Sequence, residues 1–148
     1  MAFEAVGPSG GVSPTDADLR ARLTAARLRP TRQRLALARL LFTEDRHVTA
    51  EGLHEEAIRA HVPVSLATVY NTLHQFTEAG LLRQVAVDGA RTYFDTNTSE
   101  HHHFYVEGED AVLDIPGAPV TIGGLPEAPE GLEIVRVDVV VRVRRVKR

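Results

Sequence analysis

The most unusual chemical feature of the sequence is a run of three histidines, His101–His103. On an extended strand, successive side chains point to opposite faces, so His101 and His103 would share one face and His102 would lie on the other. We therefore expect no single site with all three rings, but one site using His102 and another using His101 or His103. Neutral imidazole binds zinc, manganese, iron or haem iron, and Asp95 would add an oxygen ligand.

Other interpretations of the histidines stay open. The run could be an exposed polar strand end or a pH-sensitive patch. His47 could approach as a further ligand, although by itself it is typical of a surface loop. A hydrolytic metalloenzyme is a competing hypothesis, but no general base or nucleophile lies at a supporting spacing. We predict a protein that is not an enzyme.

Composition restricts the chemistry further. The chain has 148 residues, 17 Lys+Arg, 20 Asp+Glu and no cysteine. Disulfides, thiol catalysis, Cys-ligated structural zinc and iron–sulfur clusters are therefore excluded. No apolar run approaches the ~18 residues that span a membrane, and the N-terminus lacks a signal-peptide pattern. We expect a cytoplasmic protein with no membrane partner.

The net charge of −3 conceals a division along the chain. Residues 20–46 carry eight arginines and two acids, whereas residues 95–138 carry ten acids and one arginine. The last ten residues are basic again. Such asymmetry indicates that the N-terminal part meets a polyanion, although a set of solvated surface charges is the simpler alternative.

Four helices are predicted after a flexible tail at residues 1–15. The first begins at Thr15 or Asp16, and Thr31, Thr49 and Ser65 are N-caps for the next three. In the fourth helix, one face is apolar (Val69, Leu73, Phe76) and a polar set points away (Thr68, Asn71, Thr72, Gln75). Two strands follow, 82–87 and 90–95, joined by an Asp-Gly hairpin turn.

Residues 16–95 therefore predict a winged helix-turn-helix domain that binds double-stranded operator DNA. Polar side chains of the fourth helix would read base edges, and the helix N-terminus would take a phosphate. Arginines would neutralise further phosphates. The candidate DNA-binding residues are Arg29, Arg32, Arg34, Ser65, Thr68, Tyr70 and Asn71.

Residues 96–148 predict a small dimerisation and ligand-sensing domain. Strands are expected at 102–108 and 111–115, with a turn around Gly108-Glu109-Asp110. A long alternating strand follows at 133–146, and its all-valine face must be covered, for example by a second copy. The predicted fold class is α+β: an N-terminal winged helix-turn-helix domain and a small C-terminal α/β, mainly β-sheet, domain in a homodimer.

Three segments carry a family resemblance: Leu28-Arg29-Pro30-Thr31-Arg32-Gln33-Arg34, His47-Val48-Thr49-Ala50-Glu51 and Ser65-Leu66-Ala67-Thr68-Val69-Tyr70-Asn71-Thr72-Leu73. Together they resemble the ferric uptake regulator (Fur) family. Residues 93–98, the histidine run and residues 106–109 look most like its iron response regulator (Irr) branch. The resemblance implies a dimeric regulator of iron and haem genes, with haem as the regulatory ligand.

Carried over by position, the resemblance places Tyr70 and Asn71 at the bases and Arg29 in the minor groove. Many relatives have arginine at position 71, and asparagine prefers adenine, so a different operator is implied. The interdomain regulatory site of the family maps onto His47, Asp95 and His102. Its last ligand position holds Phe104, which cannot bind a metal ion.

A second family site maps onto His101 and His103, but its distant ligand positions hold Ile122 and Val137. The Cys-Pro haem motif of some relatives is absent. We therefore expect a His-based site for haem or for a divalent metal (Fe, Mn or Zn). The alternative function is a metal or peroxide sensor with iron or manganese at the His/Asp site, since Asp95 resembles the peroxide-sensing branch.

Overall fold

The computed structural model describes residues 12–88, 91–109, 111–116 and 120–147. The chain forms two compact units that divide between Thr98 and Ser99. The predicted α+β class is confirmed: the N-terminal unit contains four helices and a small sheet, and the C-terminal unit contains a second small sheet. Most of the predicted tail and the tips of both predicted turns, at 89–90 and 110, lie outside the described residues.

The four helices begin where the sequence predicts. They are α1 (Asp16–Ala25), α2 (Arg32–Leu41), α3 (Ala50–Arg59) and α4 (Leu66–Glu78). Each starts after a hydroxyl side chain that accepts a hydrogen bond from the backbone N–H three residues later, which satisfies an otherwise unpaired donor. These N-caps are Thr15, Thr31, Thr49 and Ser65.

Three of the helices end in the same Schellman motif, with one residue in the left-handed region. That residue is Gly80 after α4 (φ 79°), but Arg27 after α1 (φ 62°) and His61 after α3 (φ 57°). In each motif the next N–H donates back to a carbonyl in the last helical turn. A residue with a Cβ in this region costs about 1–2 kcal/mol.

The N-terminal sheet has the order β1-β3-β2 and is antiparallel. Its strands are β1 (His47–Val48), β2 (Arg83–Asp88) and β3 (Arg91–Asp95). Strands β2 and β3 are the predicted hairpin. Strand β1 was not predicted, because it has only two residues, and it pairs His47 with Asp95.

The core of the N-terminal unit lies between the helices and β3. Val69, Leu73 and Phe76 are each 0% exposed, which confirms the predicted apolar face of α4. The prediction that Thr72 points away from the core is wrong, since this residue is only 4% exposed. Thr72 is three residues after Val69 and four before Phe76, so it lies on the edge of the same helical face.

The C-terminal sheet has the order β5-β4-β6. Strand β4 (His103–Val106) pairs antiparallel with β5 (Ala111–Asp114) and parallel with β6 (Val140–Val143). The predicted strand at 133–146 is therefore too long. Its extended pairing stops at four residues because β4 offers only four partners before the turn at Gly108 (φ 83°).

The predicted valine face is only partly covered in the C-terminal unit. Val135 is 85% exposed and Val141 is 37% exposed, whereas Val137, Val139 and Val143 are half-buried. Among the residues that the structure describes, no helix is long and apolar enough to cross a membrane.

Candidate metal centre and nucleic-acid interface

Two histidines and a carboxylate converge in the C-terminal unit. His101 and His103 share one face, as predicted, with ring centroids 4.4 Å apart. Asp114 Oδ1 lies 3.0 Å from His101 Nε2 and 3.4 Å from His103 Nε2. One ligand atom of each residue lies within 4.8 Å of the others. The histidine side chains are 9% and 2% exposed, and the Asp114 side chain is 37% exposed.

Strand register explains why Asp114 joins this cluster. His103 and Asp114 are directly opposite in the β4–β5 ladder, so their side chains lie on the same face. His101, two residues before His103, follows onto that face. Asp114 was missed from the sequence because its partner depends on the register of the hairpin. Pairing Val106 with Ala111 across the predicted turn would have identified it.

The hydrogen bonding of His101 fits a cation at the cluster. Its Nδ1 lies 2.7 Å from the Ser99 carbonyl oxygen, which can only accept, so Nδ1 carries the hydrogen. In the neutral ring, the Nε2 lone pair then faces the Asp114 carboxylate at 3.0 Å. Two acceptors at this distance need a positive charge, a ring proton or a metal ion, to be compatible.

The structure does not bring His102 into this cluster. Its Nδ1 accepts a hydrogen bond from the Val139 N–H at 3.1 Å, next to the start of β6. The expected separation of His102 from His101 and His103 is therefore observed. A ligand role for His102 stays a prediction.

His47 and Asp95 form a further pair of candidate metal ligands, within the N-terminal unit. His47 Nε2 lies 3.0 Å from Asp95 Oδ2, and the side chains are 13% and 1% exposed. The pair arises because the two residues are opposite each other in β1 and β3. Asp95 Oδ1 accepts from the Asn97 N–H at 2.9 Å, which fixes the carboxylate.

A polar groove of about 300 Å³ lies between α2 and α4. Such a lining can bond base edges and phosphate oxygens. The predicted residues Arg34, Thr68 and Asn71 line it, whereas Ser65 is engaged as the N-cap of α4. The full lining is Thr31, Gln33, Arg34, Thr68, Asn71, Thr72 and Gln75.

The predicted phosphate-binding arginines differ in their surroundings. Arg34 donates to the Arg29 carbonyl at 2.9 Å and to Gln75 Oε1 at 3.0 Å, so it links α2 to α4. The exposed guanidinium groups of Arg29 and Arg32 make no hydrogen bond or ion pair with the described part of the chain. Two other arginines of the basic segment are held by carboxylates, Arg39 by Asp16 and Arg46 by Glu56.

Tyr70, a predicted base-reading residue, is held from α3. Its hydroxyl donates a short hydrogen bond to Glu51 Oε1. This bond is the main cause of a lowered pKa for Glu51 and a raised pKa for Tyr70. The Tyr70 ring stacks on His74, with centroids 6.5 Å apart. Asn71, the next residue, is exposed.

A helix-turn-helix with a β wing, followed by a small sheet that carries clustered histidines, defines the class of winged-helix transcriptional regulators. A family model described as "Ferric uptake regulator family" matches residues 25–120. The chain belongs to this family, whose members are transcriptional regulators and not enzymes. The family resemblance of the sequence is thereby confirmed.

Individual proteins agree with this assignment. The peroxide-responsive repressor PerR of Staphylococcus aureus (strain Mu50 / ATCC 700699) is 31% identical over 94 residues, which are 64% of each chain. The chain thus spans just under two thirds of this curated relative. The ferric uptake regulator of Pseudomonas aeruginosa, solved with manganese, has a TM-score of 0.66 and 27% identity. The match covers 87% of this chain and 98% of that one.

The Vibrio cholerae ferric uptake regulator has the same fold, with a TM-score of 0.65 and 21% identity over 85% of this chain and 98% of that one. The similarity supports the fold assignment for both units. The Irr branch of the family stays a prediction.

Proposed function

We propose that this protein is a dimeric, metal-responsive transcriptional regulator that binds double-stranded operator DNA. The observation that carries the proposal is the convergence of His101, His103 and Asp114 on one face of the C-terminal sheet. Two imidazole nitrogens and one carboxylate oxygen suit iron, manganese or zinc. A bound ion would supply the positive charge that the His101–Asp114 contact lacks when the ring is neutral.

The His47–Asp95 pair is proposed as a second set of ligands in the N-terminal unit. Its carboxylate is almost fully buried, and burying a carboxylate is costly unless a partner compensates it. A metal ion or a protonated His47 would provide that compensation. Metal titration distinguishes the two, since only the former makes metal affinity depend on Asp95.

Metal titration of the purified full chain tests the C-terminal site. For zinc(II) and manganese(II), we expect His103→Ala and Asp114→Asn each to weaken binding by about tenfold or more, since ligand sets lose this much even from outer partners. His54→Ala is the control, because it removes a half-buried imidazole of α3 that does not belong to the cluster. A larger loss in His54→Ala than in His103→Ala would contradict the assignment.

Salt-dependent binding tests the DNA-binding role. The probe is a DNA duplex selected from a random library by the wild-type protein. Replacing Arg29 by Ala should weaken binding and lower the slope of log affinity against log salt by about one, as expected for one lost phosphate contact. Arg39→Ala is the control, since Arg39 is already held by Asp16. Equal slopes for both variants would contradict the proposed DNA face.

Peroxide response is a finer form of the same proposal, supported by the similarity to the peroxide-responsive repressor of S. aureus. With iron bound, hydrogen peroxide would oxidise a ligand histidine: one oxygen atom would be inserted at a ring C–H bond and the other would leave as water. Mass spectrometry should then find a gain of about 16 Da on a peptide containing His101 and His103 or on one containing His47. An unmodified protein after treatment with iron and peroxide would exclude this response.

A haem-responsive, Irr-like regulator is the second candidate function. The histidine run and the resemblance of residues 93–109 support it. The low exposure of His101 and His103, 9% and 2%, favours a small ion because a porphyrin needs an open face. A haem absorption band that is lost only when residues 101–103 are replaced by alanine would support this candidate. Unchanged operator affinity at saturating haem would exclude it.

A further inference from the structure

Tyr70 is fixed at both ends of its side chain. The ring packs against the hydrophobic core and stacks on His74. The hydroxyl donates to Glu51, in the first turn of α3. The Glu51 carboxylate also accepts from its own backbone N–H, at the positive end of the helix dipole. Each partner of this hydrogen bond is therefore held by at least one further contact.

The direction of this hydrogen bond is determined by chemistry. An ionised carboxylate only accepts, so the single phenolic hydrogen must be given to Glu51. The pKa of Glu51 is lowered by Tyr70, by its own N–H and by the charge of Arg91, so the carboxylate is ionised at neutral pH. The pKa of Tyr70 is raised, so the phenol keeps its hydrogen.

We propose that Glu51 is a specificity-determining residue that makes the Tyr70 hydroxyl an obligatory acceptor towards DNA. This inference rests on the proposed DNA-binding function. In the major groove, an acceptor pairs with the amino groups of adenine N6 and cytosine N4, and not with the acceptors N7, O6 and O4. Glu51 is a positioning residue: it reads no base itself and acts through the hydroxyl that it holds.

This polarity separates Tyr70 from its neighbour Asn71. An amide offers both a donor and an acceptor, so Asn71 can bond an adenine edge in two places. Tyr70, with its hydrogen committed, offers one acceptor only. Substituting Glu51 by Gln keeps the shape but lets the amide donate to the hydroxyl, so the phenolic hydrogen becomes available to a base acceptor.

The test is selection from a random duplex library by the full chain in the presence of manganese(II). The wild type should enrich adenine or cytosine at one position, and Glu51→Gln should reduce this preference roughly tenfold, within the range of one base contact. Glu55→Gln is the matched control: it removes the same charge from an exposed position of α3 that makes no hydrogen bond with the described residues. Tyr70→Phe should lose the preference, and adding Glu51→Gln should change nothing further.

Removing a negative charge should raise overall DNA affinity in both Glu51→Gln and Glu55→Gln, so affinity alone is not the test. An unchanged base preference in Glu51→Gln would overturn the inference. Spectrophotometric titration of the tyrosines, with Tyr70→Phe as reference, tests the hydrogen bond without DNA. The Tyr70 titration should move to lower pH in Glu51→Gln and not in Glu55→Gln. Absence of that movement overturns the inference independently of DNA, whereas a wild type that enriches no sequence overturns the proposed function.

Discussion

The N-terminal and C-terminal units differ in how far their own residues cover their apolar side chains. In the N-terminal unit all four helices and β3 contribute to one buried cluster, and the centre of α4 is fully enclosed. In the C-terminal unit, Leu132 is 67%, Val135 is 85% and Val146 is 86% exposed. Exposed apolar side chains in this number are available for burial by a partner surface. The comparison indicates that the first unit maintains its own fold and the second needs further cover.

Charged contacts do not compensate for this difference. In the C-terminal unit, Arg142 pairs with Glu107 and Arg145 pairs with Glu109. All four side chains are substantially exposed, and exposed ion pairs contribute about 0–1 kcal/mol. The stability of this unit therefore depends mainly on its apolar contacts, which the proposed dimer would extend.

The largest effect is expected in the N-terminal core. Phe76→Ala should lower the free energy of unfolding by about 3–5 kcal/mol, because it opens a cavity at a fully buried position. Leu113→Ala, at a position 54% exposed in β5, should cost less than about 1 kcal/mol. Urea denaturation at fixed protein concentration measures both. Comparable losses would mean that the contrast between the units is wrong.

An intermediate effect is expected on self-association. Val135→Asp should raise the dimer dissociation constant by about ten- to a hundredfold. The reason is that the new carboxylate would lose its water in the valine face that a second copy would cover. Val12→Asp, at a position 95% exposed in the N-terminal unit, should leave it unchanged. Sedimentation velocity over a concentration series provides the constants. An unchanged constant for Val135→Asp would place the dimer interface elsewhere.

A smaller effect is expected at the helix ends of the N-terminal unit. Gly80→Ala should destabilise the protein by about 1 kcal/mol, and His61→Gly should stabilise it by up to about 1 kcal/mol. The reason is backbone strain alone, since a Cβ at position 80 would meet no atom within 4 Å. Thermal unfolding of the two variants should show shifts of opposite sign, and shifts of the same sign would refute the explanation.

The smallest effect is a pH dependence at the start of α1. The Thr15 N–H donates to Asp18 at 2.8 Å, and this bond, followed by the Thr15 hydroxyl, lowers the pKa of Asp18 below its ordinary 3.8. A depressed pKa adds stability that is complete above the ordinary value and is lost as pH falls through the folded value. The stability difference between wild type and Asp18→Asn should therefore shrink on acidification, as denaturation midpoints can measure. A constant difference would exclude the capping-box contribution.

Local signals predicted the N-terminal unit well. Hydroxyl N-caps and the spacing of Val69, Leu73 and Phe76 depend on neighbours within a few residues, so the sequence shows them directly. Thr72 departs from the prediction because its position on the helix outweighs the polarity of its side chain. For β6, alternation predicted an extended segment, but the paired length depends on β4.

The candidate metal centre was only partly predictable. The alternation of His101 and His103 is a local property of a strand, and it was expected correctly. Asp114 joins them through hairpin register, and His47 meets Asp95 through a two-residue strand. Both relations depend on strand register, which composition and periodicity alone do not encode. Only the family resemblance places His47 and Asp95 in one site.

The pairing of β1 with β3 also has a consequence for folding. His47 and Asp95 stand at the two ends of a chain segment that contains α3, α4 and β2, so they meet only after that whole loop has closed. Loop closure of this kind is entropically costly and belongs to the slower, non-local steps. An ion held by both residues would bind the native state alone and stabilise it by mass action. An ion would then occupy that pair only in chains whose N-terminal unit has folded correctly.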